Sequence, residues 1–125
     1  MIVGIGIDLV DIDRIRSMLG RQGERLTTRL FTARESAYAM KRANPAMHLA
    51  ARLAAKEAAF KALSGNDLAR GVGWKEIEVL STEHGPDLLF HGLAKERAGE
   101  IGVTKVHVTL THTHSMAAAV VVLES

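Results

Sequence analysis

Acidic and basic side chains recur at two places in the sequence where a metal ion and a phosphate could meet. Asp8 ends an alternating segment near the N-terminus, and Glu57 and Lys61 lie one helical turn apart in the middle of the chain. Mg2+ prefers oxygen ligands and commonly takes only one or two protein carboxylates together with substrate phosphates. If the first strand packs beside the long helix, Asp8 and Glu57 form such a pair.

Further basic residues on the same predicted helix would suit a pyrophosphate. Arg52, Lys56 and Lys61 would then surround the metal with positive charge. Simpler interpretations stay open for these residues. Asp8 is equally typical of a solvated strand end or a helix cap, and Glu57 and Lys61 of a solvated surface pair. Lys56 lies within the apolar stripe of the helix, where its stem could cover apolar surface with the ammonium in water.

Other metal and nucleotide motifs are weak or missing. His112 and His114 are two residues apart, which fits either a transition-metal pair or a polar strand end, and the sequence offers no third ligand in a recognisable pattern. The sequence has no P-loop and no nucleophile elbow, and Gly4 and Gly6 lack the third glycine of a dinucleotide fingerprint.

Composition excludes several classes of protein. The 125 residues are 47% hydrophobic and 24% charged, which predicts one folded domain over residues 1–125. Without cysteine, a disulfide scaffold, a thiolate zinc site and an iron–sulfur cluster are excluded. A net charge of +2 with 4% aromatic residues gives no indication of nucleic-acid binding. The sequence lacks a membrane-spanning run and a signal-peptide pattern, so we expect a cytoplasmic protein that does not enter a membrane.

Periodicity and turn residues predict an α+β fold with an antiparallel sheet packed against a long central helix. The expected order is one strand, three helices, a hairpin, a helix and a second hairpin. Thr32 and Glu35 have the spacing of a capping box at the start of one helix. The predicted strands cover 3–9, 74–80, 87–90, 106–111 and 117–123. The first predicted helix begins at Asp11, and the other three cover 33–42, 47–63 and 93–101.

One face of the first predicted helix is basic. Arg14, Met18 and Arg21 lie three or four residues apart, and Gln22 and Arg25 extend the same face. This pattern is typical of a solvated face, and it would also receive an acidic helix of a partner, with an affinity that falls as salt rises.

Several of these segments together resemble one family. They are Gly4-Ile5-Gly6-Ile7-Asp8-Leu9-Val10, Phe31-Thr32-Ala33-Arg34-Glu35, the segment from Ala51 to Leu63, and Thr109-Leu110-Thr111-His112. In this order they resemble the holo-[acyl-carrier-protein] synthases, the small stand-alone class of 4′-phosphopantetheinyl transferases. The resemblance implies transfer of the 4′-phosphopantetheine arm of coenzyme A to a serine of apo acyl carrier protein, with release of adenosine 3′,5′-bisphosphate. It also implies Mg2+ and a homotrimer with coenzyme A bound between subunits.

The resemblance also implies roles for individual residues. Asp8 and Glu57 would hold the metal and, with Lys61, act in catalysis. The sequence does not decide whether Lys61, Glu57 or a metal-bound water takes the serine proton. The implied coenzyme A contacts are Arg52, Lys56, Lys61, Gly65, Gly85, Pro86, Thr111 and His112. The carrier protein would dock on Arg14, Met18, Arg21, Gln22 and Arg25.

Two alternatives from other classes stay open at the level of sequence. One is a different two-carboxylate phosphotransferase or nuclease, which would not need coenzyme A. The other is a binding module without catalytic activity, whose basic first helix docks acidic proteins.

Overall fold

The structure of the chain is a computed structural model that describes residues 1–64 and 71–125. The predicted coenzyme A contact Gly65 lies outside the described residues. The helices are α1 (Ile12–Gln22), α2 (Glu24–Leu30), α3 (Ala33–Met40), α4 (Pro45–Ser64) and α5 (Gly92–Glu100). The strands are β1 (Ile2–Asp11), β2 (Ile77–Thr82), β3 (Gly85–Phe90), β4 (Lys105–His112) and β5 (Met116–Glu124). None of the described helices combines the length and apolarity needed to cross a membrane.

The strands form two antiparallel sheets. One has the order β1-β5-β4, in which Asp8 pairs with Ala119 and His112 with Ala117. The other is the β2–β3 hairpin, in which Ser81 pairs with Pro86. Helix α4 packs against β1 and β5, so the expected α+β fold with an antiparallel sheet on a long central helix is confirmed.

Two expectations about local structure are wrong. The sequence does not predict helix α2, because Gly20 and Gly23 indicate only a frayed end of the first helix. Gly23, at φ 55°, ends α1, and α2 follows at once because the buried Leu26 and Leu30 hold it on the core. Arg25 therefore lies on α2 and does not continue the face of α1.

The second error concerns the start of the predicted strand 74–80. Trp74–Glu76 form a 3-10 turn, in which the Glu76 amide donates to the Gly73 carbonyl at 3.0 Å. Strand β2 begins only at Ile77. The apolar–polar alternation of Trp74 to Leu80 cannot distinguish such a turn from the first residues of a strand.

The backbones of β1 and α4 lie in direct contact. A Cβ atom at Gly6 would lie 1.8 Å from the Ala58 carbonyl oxygen, and one at Gly4 would lie 2.1 Å from the Ala62 oxygen. Only glycine fits at this distance. The alanines of α4 are buried almost all around the helix, whereas Phe60, predicted in its apolar stripe, is 39% exposed.

The opposite face of β1 carries large apolar side chains that nothing within the described chain covers. Ile5, Ile7 and Leu9 are 61–63% exposed. Beside them on β5 lie the partly exposed Val120 and Val122, which pair with Ile7 and Ile5. Contiguous apolar surface of this kind is typical of an interaction site.

The contact between β1 and α4 predicts a large difference between two Gly→Ala variants. We expect Gly6→Ala to lower the free energy of unfolding by about 3 kcal/mol or more, since its Cβ overlaps the Ala58 carbonyl and forces the strand away. Gly20→Ala is the matched control, because a Cβ there meets nothing within 4 Å and alanine favours the helix. Urea unfolding followed by circular dichroism measures both. Equal stability of the two variants would contradict this packing.

Candidate active site

The contact between β1 and α4 brings three of the predicted site residues together. Asp8 follows Gly4 and Gly6 on the inner face of β1 and therefore points at α4. The Lys61 ammonium donates to Asp8 Oδ1 at 2.9 Å and to the Ile7 carbonyl at 3.1 Å. Glu57, one turn before Lys61, faces the same carboxyl group.

The two carboxyl groups are close enough to influence each other's charge. When both are ionised, Asp8 Oδ2 is buried and has no hydrogen-bond donor among the described residues. Hydrogen bonding to Asp8, followed by burial and the charge of Asp8, raises the pKa of Glu57 to about 7. The hydrogen bond to Asp8 raises the pKa of Lys61, so this side chain is a cation at neutral pH.

These features fit a hard divalent cation. A cation would neutralise the charge of the two facing carboxylates and provide a partner for the buried Asp8 Oδ2. A proton shared between the two carboxyl groups would have the same effect. Among the described residues no group of three His, Cys, Asp or Glu side chains could hold a metal. Mg2+ needs fewer protein ligands and completes its shell with water and phosphate oxygens.

The pair lies in a cavity of about 490 Å3. Its lining includes the charged Asp8, Glu57 and Lys61. It also includes the apolar Phe60, Val72, Trp74 and Ile77. The cavity can therefore take a ligand that has both an ionic group and an uncharged body.

Lys56 also lines this cavity, but its side chain is only 1% exposed and its ammonium is bound in the core. The resemblance implies that it contacts coenzyme A. Its ammonium contacts Glu35 Oε1 at 2.7 Å and donates to the carbonyls of Trp74 at 2.8 Å and Ile77 at 2.6 Å. These contacts use all three of its protons. Burial lowers the pKa of Lys56, and the charge of Glu35 opposes that effect. The geometry favours a positioning role over a phosphate contact.

Arg52 lies on the other flank of α4, in a second basic cluster. Its Nη2 donates to Ser81 Oγ at 2.8 Å, and its buried Nε has no partner among the described residues. The guanidinium carbons of Arg52 and Arg42 each lie 4.1 Å from the centre of the Tyr38 ring. His48 contacts the same ring edge-on at 5.7 Å. Sequence reasoning missed Tyr38 and Arg42, which no spacing rule connects to Arg52.

The other predicted nucleotide contacts come to this same flank. Burial, followed by the charges of Arg52, Arg42 and His112, lowers the pKa of His48, which places His112 near the cluster. Pro86 pairs with Ser81, the residue that Arg52 contacts, so Pro86 and the adjacent Gly85 also lie on this flank. Thr111 precedes His112 on β4 and is exposed.

The basic face of α1 borders a smaller cavity of about 270 Å3. Of the predicted docking residues, Arg14 and Met18 line it, and Arg21 and Gln22 follow on the same helix. Arg29 on α2 also lines it, and sequence reasoning missed this residue because α2 itself was not expected. Trp74 and Glu57 line both this cavity and the larger one.

Comparisons with known proteins agree on one family. Residues 4–121 match the 4′-phosphopantetheinyl transferase superfamily. The holo-[acyl-carrier-protein] synthase of Nitratidesulfovibrio vulgaris is 48% identical over 126 residues, which cover 100% of both chains.

Solved structures give the same result. The holo-[acyl-carrier-protein] synthase of Neisseria meningitidis superposes with a TM-score of 0.86 at 26% identity, over 100% of both chains. That of Bacillus anthracis, in complex with CoA (3′,5′-ADP), gives a TM-score of 0.79 at 34% identity, over 100% of this chain and 98% of that one. The chain therefore belongs to the holo-[acyl-carrier-protein] synthases, the 4′-phosphopantetheinyl transferases that modify acyl carrier protein.

Proposed function

We propose that this chain transfers the 4′-phosphopantetheine arm of coenzyme A to a serine of apo acyl carrier protein, with Mg2+ bound at Asp8 and Glu57. The serine Oγ–P bond forms, and the bond from that phosphorus to the bridging oxygen breaks. Adenosine 3′,5′-bisphosphate leaves, and the serine proton goes to a base or to solvent. The facing carboxyl groups of Asp8 and Glu57, with Lys61 beside them, are the observation that carries the proposal.

The chain's own residues have separate tasks in this reaction. Asp8 and Glu57 supply carboxylate oxygens to Mg2+, which neutralises negative charge on the phosphates when it is bound. Lys61, held by Asp8 and the Ile7 carbonyl, presents a fixed positive charge to the phosphoryl group. Because Lys61 is cationic at neutral pH, Glu57 or a water molecule suits the role of proton acceptor better than Lys61 does.

We further propose that the site is completed by a second subunit of a homotrimer. The nucleotide cluster around Arg52 and the carboxylates lie on opposite flanks of α4, and none of Arg52, Pro86 and His112 lines the cavity that holds Asp8. One coenzyme A molecule would then contact Arg52 and His112, with Gly85 and Pro86 at the adenine, in one subunit and Lys61 in the next. The exposed Ile5, Ile7 and Leu9 supply the apolar face that such an assembly needs.

The carrier protein would dock on the basic face of α1. Arg14 and Arg21 offer charge to an acidic helix, and Met18 offers an apolar anchor beside them. This face adjoins the cavity that holds Glu57, so a docked serine would reach the phosphoryl group from the α1 side. The proposal places the protein in fatty acid biosynthesis in the cytoplasm, a reducing compartment that suits a chain without cysteine.

The central test is the intact mass of apo acyl carrier protein after incubation with this protein, coenzyme A and Mg2+. We expect a gain of about 340 Da, the mass of the arm, and its loss with a chelator. Glu57→Gln should lower the rate about 100-fold or more, because the metal site loses a ligand charge. Glu96→Gln, the same change at an exposed position on α5, is the control. Unchanged carrier mass with folded protein supplied with Mg2+ and coenzyme A would refute the transferase function.

The trimer can be tested on the apolar sheet face. Ile7→Lys puts a charge in the centre of that face, so we expect the assembly of three 13.5 kDa chains to dissociate and transfer to stop. Leu93→Lys changes a residue of similar size and exposure on α5 and should leave both unchanged. Sedimentation velocity measures the outcome. A wild-type protein that sediments as a monomer at assay concentration would contradict the proposal.

The docking face predicts a change mainly in carrier affinity. We expect Arg14→Glu to raise the KM for the carrier protein about tenfold and to change kcat less, because it repels an acidic helix while its charge acts on Glu57 only as a minor influence. Arg16→Glu is the control on the same helix, since Arg16 pairs with Asp13 and Asn44 and lines neither cavity. Equal effects of the two variants would show that the carrier docks elsewhere.

A further inference from the structure

Two residues form the boundary between the two cavities of the proposed enzyme. Among the described residues, only Glu57 and Trp74 line both the cavity of Asp8 and Lys61 and the cavity of Arg14 and Met18. Glu57 is accounted for by the metal site. Trp74, which is 41% exposed, has no role in the metal site, the nucleotide cluster or the basic face.

If the chain has the proposed function, on which this inference rests, the phosphoryl group and the serine must meet at this boundary. The phosphoryl group belongs to the first cavity, and the serine arrives from the second. Bond formation must therefore occur where the cavities adjoin, beside Glu57. A water molecule in the same place would compete with the serine, because both present a hydroxyl group to the same phosphorus.

The backbone of the turn that carries Trp74 is held by a buried ion pair. The Lys56 ammonium donates to the carbonyls of Trp74 and Ile77 and contacts Glu35. The Lys56 and Glu35 side chains are 1% and 0% exposed. These contacts hold the backbone carbonyls at the start of the 3-10 turn and just after its end, so the backbone from which the indole projects is tied to charges in the core.

Glu35 in turn connects this turn to the rest of the fold. Its Oε1 accepts from the Thr32 amide at 2.8 Å, as expected for the capping box, and its Oε2 accepts from the Val79 amide at 2.8 Å. The pair therefore ties α3, α4 and β2 to the turn at Trp74. Such a network holds a side chain in one place more firmly than exposed contacts would.

We propose that Trp74 is a specificity-determining residue that keeps water away from the phosphoryl group beside Glu57, and that Lys56 and Glu35 are its positioning residues. With the indole in place, the serine Oγ attacks the phosphorus and the arm reaches the carrier. Without it, a water oxygen forms the bond to phosphorus and the same bridging P–O bond breaks. The products are then free 4′-phosphopantetheine and adenosine 3′,5′-bisphosphate, with the water proton released to solvent.

The physical basis is the size and apolarity of the ring. An indole occupies the volume of several water molecules and offers one N–H donor and no acceptor. Removing it opens space next to a carboxylate that can orient a water molecule. Excluding water from a reacting centre is a general means of preventing hydrolysis of an activated group.

The test measures how the arm of coenzyme A is divided between carrier and water. With wild-type enzyme, coenzyme A, Mg2+ and apo carrier, liquid chromatography quantifies free 4′-phosphopantetheine and mass spectrometry quantifies the modified carrier. We expect Trp74→Ala to raise the ratio of free to carrier-bound arm about tenfold, the lower end of what an apolar wall contributes to discrimination. Trp74→Phe should raise it less. Leu93→Ala, which truncates a 47% exposed apolar residue on α5, should leave it unchanged.

A second measurement separates positioning from general stability. Lys56→Met combined with Glu35→Gln removes both buried charges together, which avoids leaving one unpaired. Trp74 is the only tryptophan in the chain, so its fluorescence reports on this turn alone. We expect the double variant to increase acrylamide quenching of Trp74 and to raise the free-to-bound ratio. In the Trp74→Ala background the same double change should have no further effect on the ratio.

Each outcome decides the matter. Slower transfer by folded Trp74→Ala with an unchanged ratio would mean that Trp74 only binds substrate, and the proposal would be wrong. A ratio that rises further when the charge pair is removed from Trp74→Ala would refute the positioning role. Failure of the wild-type enzyme to modify any carrier would instead refute the proposed function. Should Trp74→Ala melt below the assay temperature, the Trp74→Phe ratio decides in its place.

Discussion

The direct contact of the β1 backbone with the α4 backbone is the constraint on which the rest of the structure depends. Gly4 and Gly6 lie against the carbonyls of Ala62 and Ala58, where any side chain would overlap the helix. This closeness places Asp8, the next residue on that face, within reach of Glu57 and Lys61. Small residues bury little apolar area each. The glycines and alanines beside the site therefore contribute less to stability than larger apolar side chains in a core would.

Much of the site was readable from the sequence, because its residues occupy strong local patterns. Helical spacing placed Glu57 and Lys61 one turn apart, and the expected packing of the first strand beside the long helix brought Asp8 to them. Arg52, expected beside the metal, does not line the cavity of Asp8 and lies on the other flank of α4. The capping box of Thr32 and Glu35 was also correct. What sequence missed depends on tertiary contacts. Helix α2 persists because Leu26 and Leu30 are buried, and Tyr38 joins Arg52 only through the docking of α3 on α4.

The apolar residues of β1 illustrate a different limit of pattern reading. Alternation shows that a strand has one apolar face, and in a single chain such a face normally belongs to the core. Here the core side of β1 is the glycine side, and Ile5, Ile7 and Leu9 point outward. A chain of this size also separates its carboxylates and its nucleotide cluster by the width of α4. The proposed homotrimer would account for both observations, since a neighbouring copy would cover the apolar face and bring the two half-sites together.

Lys56 and Glu35 form a buried ion pair that carries a cost in stability. Burying two charges is expensive, and packed apolar side chains of the same volume would often give an equally stable or more stable fold. Such a replacement would leave the carbonyls of Trp74 and Ile77 without a donor, because no apolar side chain can hold them. The pair is therefore better explained by the carbonyls of Trp74 and Ile77 that it binds than by a contribution to folding stability. It connects the centre of α4 to residues that line the same cavity as Glu57.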